Sequence, residues 1–274
     1  MNIRYLALRL IRHFMPEGLA RFLLKHRWII RPGLESSDPL AAVDQYILAL
    51  EKQGRSINGQ RILVFGYGGR FAVGLELLKR GAAHVVLCDH FIALDESRNL
   101  ELWPKYDEYL SMENGSVIPN PAHVTLVHGD ICSDETQKKI STVDLVMSTS
   151  VYEHLDNVNA ITQALMNLTA PQGAHLHFVD LRDHYFKYPF EMLVFSEKVW
   201  RNFLNPTSNL NRFRLPDYKR VFDTYFNNVK IVVIQRNLSE FKAARSRIRP
   251  EFLANDDEVD SVGLLYIVAE SPKR

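Results

Sequence analysis

The chain has 274 residues, 46% hydrophobic and 24% charged, which is enough apolar material for one sizeable core. A formal net charge of +1 gives no global field of the kind that draws a protein to nucleic acid. Two cysteines, Cys88 and Cys132, match no metal motif and fit a reducing, cytoplasmic setting; no apolar run is long enough to span a membrane, and arginines at 4, 9 and 12 interrupt the stretch a secretory signal would need.

Residues 1–31 carry seven Arg or Lys against one acid, Glu17. Ile3, Leu6, Leu10 and Phe14 fall at helical spacing. Pro16 and Gly18 break the pattern, and a second short helix is expected through Leu19, Phe22 and Leu23. Two readings fit this segment. One is a helical flap packed on the core with its arginines in solvent. The other is a basic amphipathic helix resting on an anionic membrane surface or a partner. Turn residues follow at Arg31-Pro32-Gly33 and from Ser36 to Pro39. Pro39 to Lys52 then reads as a helix capped by Asp38, with Gly54 and Asn58-Gly59 ending it. Residues 1–58 are thus expected to form an N-terminal helical extension, and residues 59–274 the main domain.

From Arg61 strands and helices alternate. Strands are expected at Ile62–Phe65, His84–Cys88, Val124–Val127, Asp144–Met147 and His175–Val179. Helices are expected at Arg70–Arg80, at Leu94–Tyr109, and after Asp156 or Asn157, where Val158, Ile161, Leu165 and Leu168 share a face. Val229–Ile234 and Gly263–Val268 read as two final strands. The pattern predicts an α/β fold with a mostly parallel sheet and helices on both faces. Ligands of such sheets bind beyond the carboxyl ends of the strands, where strand order reverses.

The candidate site residues fall at those ends. Val64-Phe65-Gly66-Tyr67-Gly68-Gly69-Arg70 lets the backbone turn sharply and approach a ligand without Cβ interference. Asp89 closes the next strand, 23 residues after Gly66, where an acid can accept from both ribose hydroxyls of an adenosine. Asp130, in His128-Gly129-Asp130-Ile131, can accept from the adenine amine while Ile131 covers the ring. A dinucleotide turn needs glycine at position 71, and Phe71 stands there. That argues against an NAD(P)-dependent oxidoreductase, which remains as an alternative.

Val143-Asp144-Leu145-Val146-Met147-Ser148-Thr149-Ser150-Val151-Tyr152-Glu153-His154-Leu155, continuing to Leu168-Thr169-Ala170-Pro171-Gln172-Gly173, carries a family likeness. It resembles the segment after strand four of small-molecule class I S-adenosylmethionine-dependent methyltransferases. The likeness extends over residues 61–180. It implies a Rossmann-like seven-stranded sheet, completed by the two final strands as a hairpin. It implies S-adenosyl-L-methionine as cofactor, lined by Gly66, Tyr67, Gly68, Gly69, Asp89, His90, Asp130, Ile131, Ser148 and Ser150. It also implies methyl transfer to a small molecule, with oxygen preferred as acceptor atom. The turn departs from the family's pattern at Val64, where an acid is usual, and at Arg70, where a third glycine is usual. Those departures motivate a second function, a catalytically inactive cofactor-binding or scaffold protein on the same fold.

Two histidines are candidate bases: His154 past the fourth strand and His184 past the fifth. Asp183 either orients His184 or is a surface acid. Residues 182–250 hold 14 Arg or Lys against six Asp or Glu. Arg212, Arg214, Lys219 and Arg220 cluster around Pro216, with Tyr185, Phe186, Tyr188 and Phe190 upstream. They form either a lid over an anionic or lipid-like acceptor or a solvated helical surface.

Overall fold

The computed structural model describes residues 3–16, 18, 19, 23, 38–185 and 187–274. Phe22 and its neighbours 20, 21 and 24–37, with the turn at Arg31-Pro32-Gly33, and Phe186 lie outside the described residues. Helix α1 covers Ile3–His13 and α2 covers Pro39–Glu51. As expected, Asp38 caps α2: its carboxylate accepts from the Ala41 N–H at 3.1 Å, and Pro39 fills the first turn.

The alternating part follows as β1 Arg61–Phe65, α3 Ala72–Lys79, β2 His84–Asp89, α4 Glu96–Leu100, β3 Leu110–Glu113, β4 Ser116–Pro119, β5 Val124–His128, α5 Asp134–Ile140, β6 Val143–Thr149, α6 Val158–Asn167 and β7 Thr169–Asp180. The chain closes with α7 Leu215–Tyr225, β8 Phe226–Arg236, α8 Leu238–Ala244 and β9 Val262–Pro272. The helix expected at Leu94–Tyr109 is only the short α4 and a 3-10 turn. A small antiparallel hairpin, β3–β4, follows directly after it. Pro104 and the bulky Trp103, Tyr106 and Tyr109 interrupt a helix there. β7 begins earlier than expected. Its register jumps from Thr169 opposite Val143 to Ala174 opposite Leu145, so Pro171 sits in a bulge that asks no ladder bond of it.

The seven-stranded sheet has the order β5-β2-β1-β6-β7-β9-β8. Strands β5 to β7 in that order are parallel, and β9 runs antiparallel to both its neighbours. The chain leaves β1 toward β2 and β5, then returns to β6 on the other side. The switch point therefore lies between β1 and β6. Alternate residues of β1 feed opposite faces, Ile62 and Val64 one core, Leu63 and Phe65 the other.

Helix α2 is part of the first core, through Val43, Tyr46, Ala49 and Leu50. The expected boundary at residue 58 therefore divides the sequence but not the packing. Helix α1 docks elsewhere. Its Leu6 and Leu10 pack on a third cluster made by Phe190, Leu193, Trp200, Leu204 and Phe241. No helix among the described residues is long and apolar enough to cross a membrane.

Candidate active site

Past β1, Gly66, Gly68 and Gly69 all have φ between 69° and 76°, a region L side chains avoid. A Cβ on Gly69 would lie 2.2 Å from the Ala93 carbonyl oxygen, and one on Gly66 would lie 2.5 Å from Val151 Cγ2. Both glycines are therefore required by the protein's own close packing. The Gly68 N–H donates to Asp89 Oδ2 at 3.1 Å, while Asp89 Oδ1 accepts from the Phe91 and Ile92 N–H groups at 2.9 Å each. A carboxylate has about four lone-pair sites, so about one of them is left for a ligand.

Asn99 completes this rim. Its side chain donates to the Gly69 carbonyl and accepts from the Phe71 N–H, both at 2.9 Å. Nothing in the motif pointed to Asn99; its signal was a polar residue on an otherwise short helix. Phe71 is buried, and the close helix–strand contact that glycine would give at 71 falls at Gly74, against Leu87. Val64 is buried in the first core.

Tyr67 is buried, and burial beside Asp89 pushes its hydroxyl up to about 12. His90 is exposed, edge-on to Phe91 at 4.5 Å. Asp130 is exposed and folds its carboxylate onto the Cys132 N–H at 2.9 Å. Ile131, expected to cover an adenine ring, is instead 2% exposed and packed in the second core. Its position one residue past Asp130 turns it inward.

Ser148, expected at the cofactor, is fully buried on the β6–β7 face of the sheet. Its hydroxyl donates to His177 Nδ1 at 2.7 Å. His177 Nε2 in turn meets His175 Nδ1 at 3.1 Å, and His175 Nε2 meets Thr169 Oγ1 at 2.7 Å. The Thr169 hydroxyl donates to the Leu165 carbonyl at 2.8 Å, which can only accept. That terminus fixes the direction of every bond upstream. Burial lowers His175 to about 3 and His177 well below its ordinary value, so both rings are neutral. Any contact of Ser148 with a cofactor would fall to its backbone.

After β6 the chain makes a 3-10 turn, Tyr152–His154. Ser150 enters it at φ 55°, its N–H held by the Phe178 carbonyl at 3.0 Å. Two asparagines clamp the turn. The Asn211 amide donates to the Tyr152 and Leu155 carbonyls at 2.7 and 3.1 Å, its backbone N–H to the Glu153 carbonyl at 2.9 Å, and the Asn209 amide to the His154 carbonyl at 3.0 Å. The sequence carried a signal for this, since asparagines recur at 202, 205, 209 and 211 around Pro206.

The structure brings the two candidate bases together, with ring centres 4.9 Å apart. His154 Nδ1 lies 2.9 Å from the Ser208 carbonyl and 2.7 Å from that of Asn209. Carbonyls only accept, so Nδ1 carries the hydrogen and Nε2 presents a lone pair. Burial lowers the His154 pKa, offset in part by those carbonyls. His184 is the exposed member of the pair. Glu153 lies beside both and is 3% exposed. Its Oε2 is buried with no hydrogen-bond partner, and burial, then the nearby Asp180, pushes its carboxyl well above the usual carboxylate range.

Asp183 is not a surface acid. It is fully buried, accepts from Tyr5 Oη at 2.5 Å and from the Tyr185 N–H at 2.8 Å, and pairs with the Arg9 guanidinium. Arg9, expected in solvent, is 1% exposed, with its guanidinium 5.0 Å from the Trp200 ring centre. This anchor sets α1 beside His184. Arg4, Leu8, His184, Tyr185, Lys187 and Tyr188 then line an open cleft of about 390 Å³. Two of the four cluster residues, Arg212 and Arg214, are buried struts, which corrects both the lid and the solvated-surface readings for them. Arg214 donates to the Leu181, Asp260 and Val262 carbonyls, and Arg212 to those of Met192 and Phe195 while pairing with Glu197. Lys219 and Arg220 are exposed, each paired along its own helix.

No known protein family and no curated protein matches the sequence. Solved structures do match in fold. Haemonchus contortus phosphoethanolamine N-methyltransferase 2, in complex with phosphomonomethylethanolamine and S-adenosylhomocysteine, aligns with a TM-score of 0.50 and 16% identity over 84% of this chain and 53% of that one. Geranyl diphosphate C-methyltransferase from Streptomyces coelicolor A3(2) aligns with a TM-score of 0.50 and 11% identity over 84% of this chain and 77% of that one. The chain thus spans about half the length of the Haemonchus enzyme. Its fold is the Rossmann-like fold of class I S-adenosylmethionine-dependent methyltransferases.

Proposed function

We propose that this protein is an enzyme that transfers a methyl group from S-adenosyl-L-methionine to a small anionic acceptor, oxygen being the preferred acceptor atom. One observation carries the reading. At the switch point the glycine turn, tied to Asp89, meets the His154 turn directly, with Val151 against Gly66. A cofactor rim and an acceptor rim are thereby adjacent. The residues present fit the cofactor: Asp89 keeps about one lone-pair site for a ribose hydroxyl, and Gly68 offers a partly exposed backbone. His90, Asp130 and Ser150 stand at neighbouring strand ends.

The bound cofactor would supply an activated methyl group on a sulfonium whose leaving group departs neutral. The protein's own work is then alignment, exclusion of water and, for a hydroxyl or ammonium acceptor, removal of a proton. His154 is built for that last task, because its hydrogen is fixed on Nδ1 and its Nε2 lone pair is available. Arg4 and Lys187 place positive charge at the adjoining cleft, with Tyr185 and Tyr188 as apolar walls, which suits an acceptor bearing phosphate or carboxylate. Ile3, Leu8 and Ile11 on α1, and Phe14 just past its end, are exposed. Any peripheral contact with an anionic membrane would run through that face. The nicotinamide alternative loses ground to Phe71, which leaves no close glycine under a pyrophosphate.

The test is calorimetric titration with S-adenosylhomocysteine, followed by labelled-methyl transfer to a panel of phosphorylated and carboxylated small molecules. Binding and a labelled product are expected. Binding without any product would favour the inactive cofactor-binding alternative. Uptake of a nicotinamide dinucleotide instead would overturn the reading.

A further inference from the structure

We propose that Glu153, His154 and His184 form a binding site for one divalent transition-metal ion. Each residue offers one ligand atom, and the three atoms lie within 4.8 Å of one another. They come from two separate strand ends, the turn after β6 and the segment after β7, which the sheet pairing of those strands brings side by side. A metal bound at about 2.0–2.2 Å from each ligand needs only a small inward turn of such a set.

Two independent observations point the same way. The first is Glu153 Oε2, a fully buried oxygen with no hydrogen-bond partner. An unsatisfied buried carboxyl oxygen is costly, and a cation in the space it faces would satisfy it. The second is the orientation of His154. Metal-bound histidines commonly donate their other ring N–H to a carbonyl, which fixes the ring and presents the remaining lone pair. The Ser208 and Asn209 carbonyls do this to Nδ1 of His154, and the Asn209 amide locks the same residue's carbonyl. The ring has no freedom to present anything but Nε2.

The donor set decides the class of metal. Two imidazoles and one carboxylate suit zinc, iron, cobalt or nickel, whereas magnesium and calcium prefer all-oxygen sites. Three protein ligands leave coordination positions open, the pattern of a catalytic rather than a structural ion. His184 also lines the cleft with Arg4 and Lys187, so the open positions face the place proposed for the acceptor. The role there rests on the methyl-transfer reading: with the His154 Nε2 lone pair on the ion, that ring would no longer serve as the base, and the ion would instead hold an acceptor oxygen and favour its deprotonated form. The site itself does not depend on that reading.

The experiment uses the full chain, stripped with a chelator and titrated with zinc and, as a spectroscopic probe, with cobalt. Bound metal is counted by elemental analysis. Wild type is expected to take up one equivalent and to show the visible absorption of liganded cobalt. Glu153→Gln keeps the buried shape and His184→Ala alters an exposed ring, so both are expected to fold, which circular dichroism checks. Each is expected to lose at least about 100-fold in zinc affinity and the cobalt absorption. No uptake by wild type, or unchanged affinity in folded His184→Ala, would overturn the site. S-adenosylhomocysteine titration of the metal-free chain separates the two readings. Metal uptake without cofactor binding supports the site and removes the methyltransferase. Cofactor binding without metal uptake overturns the site alone.

Discussion

On the β1–β2 rim of the crevice, Asp89 accepts three backbone N–H groups, whereas on the β6–β7 rim Glu153 keeps a buried oxygen with no hydrogen-bond partner among the described residues. The first rim is built from contiguous sequence and closes on itself: turn, acid and Asn99 hold one another in place. The second is assembled from distant pieces, with His154 fixed by residues 208 and 209 and His184 set beside α1 through its neighbour Asp183. Under the proposed function the difference separates two tasks. A rim that binds one invariant cofactor can be internally satisfied and rigid. A rim that does chemistry must leave some groups waiting for a partner, and it carries that cost in stability.

The comparison breaks first at Arg9. Replacing it by Met would leave the Asp183 carboxylate buried without its cation, at an expected cost of about 3–5 kcal/mol in chemical denaturation. If the two rims are as separate as described, the variant's acceptor KM rises while its S-adenosylhomocysteine affinity stays at the wild-type level. Loss of cofactor affinity in the folded variant would join the rims into one unit.

The next probe falls on the glycine rim. Gly69→Ala forces a side chain onto the Ala93 carbonyl at a φ of 75°, with an expected loss of roughly 2–4 kcal/mol and weakened cofactor binding. A variant as stable as wild type would mean that the 91–95 segment moves aside freely.

Acid sharpens the picture of the polar relay behind the second rim. His175 and His177 are neutral when folded, with pKa values lowered by burial, His175 to about 3. The unfolded chain therefore binds more protons as pH falls below about 6.5, so stability is fully present above that value and drains away toward pH 3. Each ring is expected to contribute a slope of about 1.4 kcal/mol per pH unit in that window. Replacing His177 by Phe should flatten the denaturation-against-pH curve between pH 6 and 4; an unchanged slope would remove the relay as its source.

Asp89→Ala has the smallest expected effect. One charged hydrogen bond to a ribose is worth about 1–3 kcal/mol, read as a weaker calorimetric dissociation constant for S-adenosylhomocysteine. Because three N–H groups also lose their acceptor, a fall in melting temperature accompanies it. A fall in melting temperature with unchanged affinity would make Asp89 purely a strut of the loop.

The individual strands and the glycine turn were legible because both are written locally, whereas the order of the strands in the sheet was not. Strands such as Ile62–Phe65 and His84–Cys88 are short apolar runs closed by turn residues, and Gly66, Gly68, Gly69 and Asp89 fall at their ends. Residues whose role depends on distant contacts were harder to read. Arg9 looked like a solvated charge because its partner lies 174 positions away. Arg214 resembled part of a basic patch, and only the fold shows it tying three backbone carbonyls. Ser148 was placed on the right strand, but its side chain enters the buried histidine pair, since a one-residue step along a strand reverses the face; Ile131, in the turn past β5, packs into the second core. His154 and His184 were each legible as candidates. That Glu153 brings a ligand oxygen close to both, with its Oε2 unpartnered among the described residues, was not.

The bond between Arg9 and Asp183 has a consequence for how the chain is made. At a ribosomal pace of 5–20 residues per second, the 174 residues between them take roughly ten to thirty-five seconds to emerge. For that interval the arginine-rich leading helix has no carboxylate to settle on. Its apolar and cationic side chains stay open to chaperones or to any acidic surface near the exit tunnel. The wall of the cleft is thus made long before the acid that locks it.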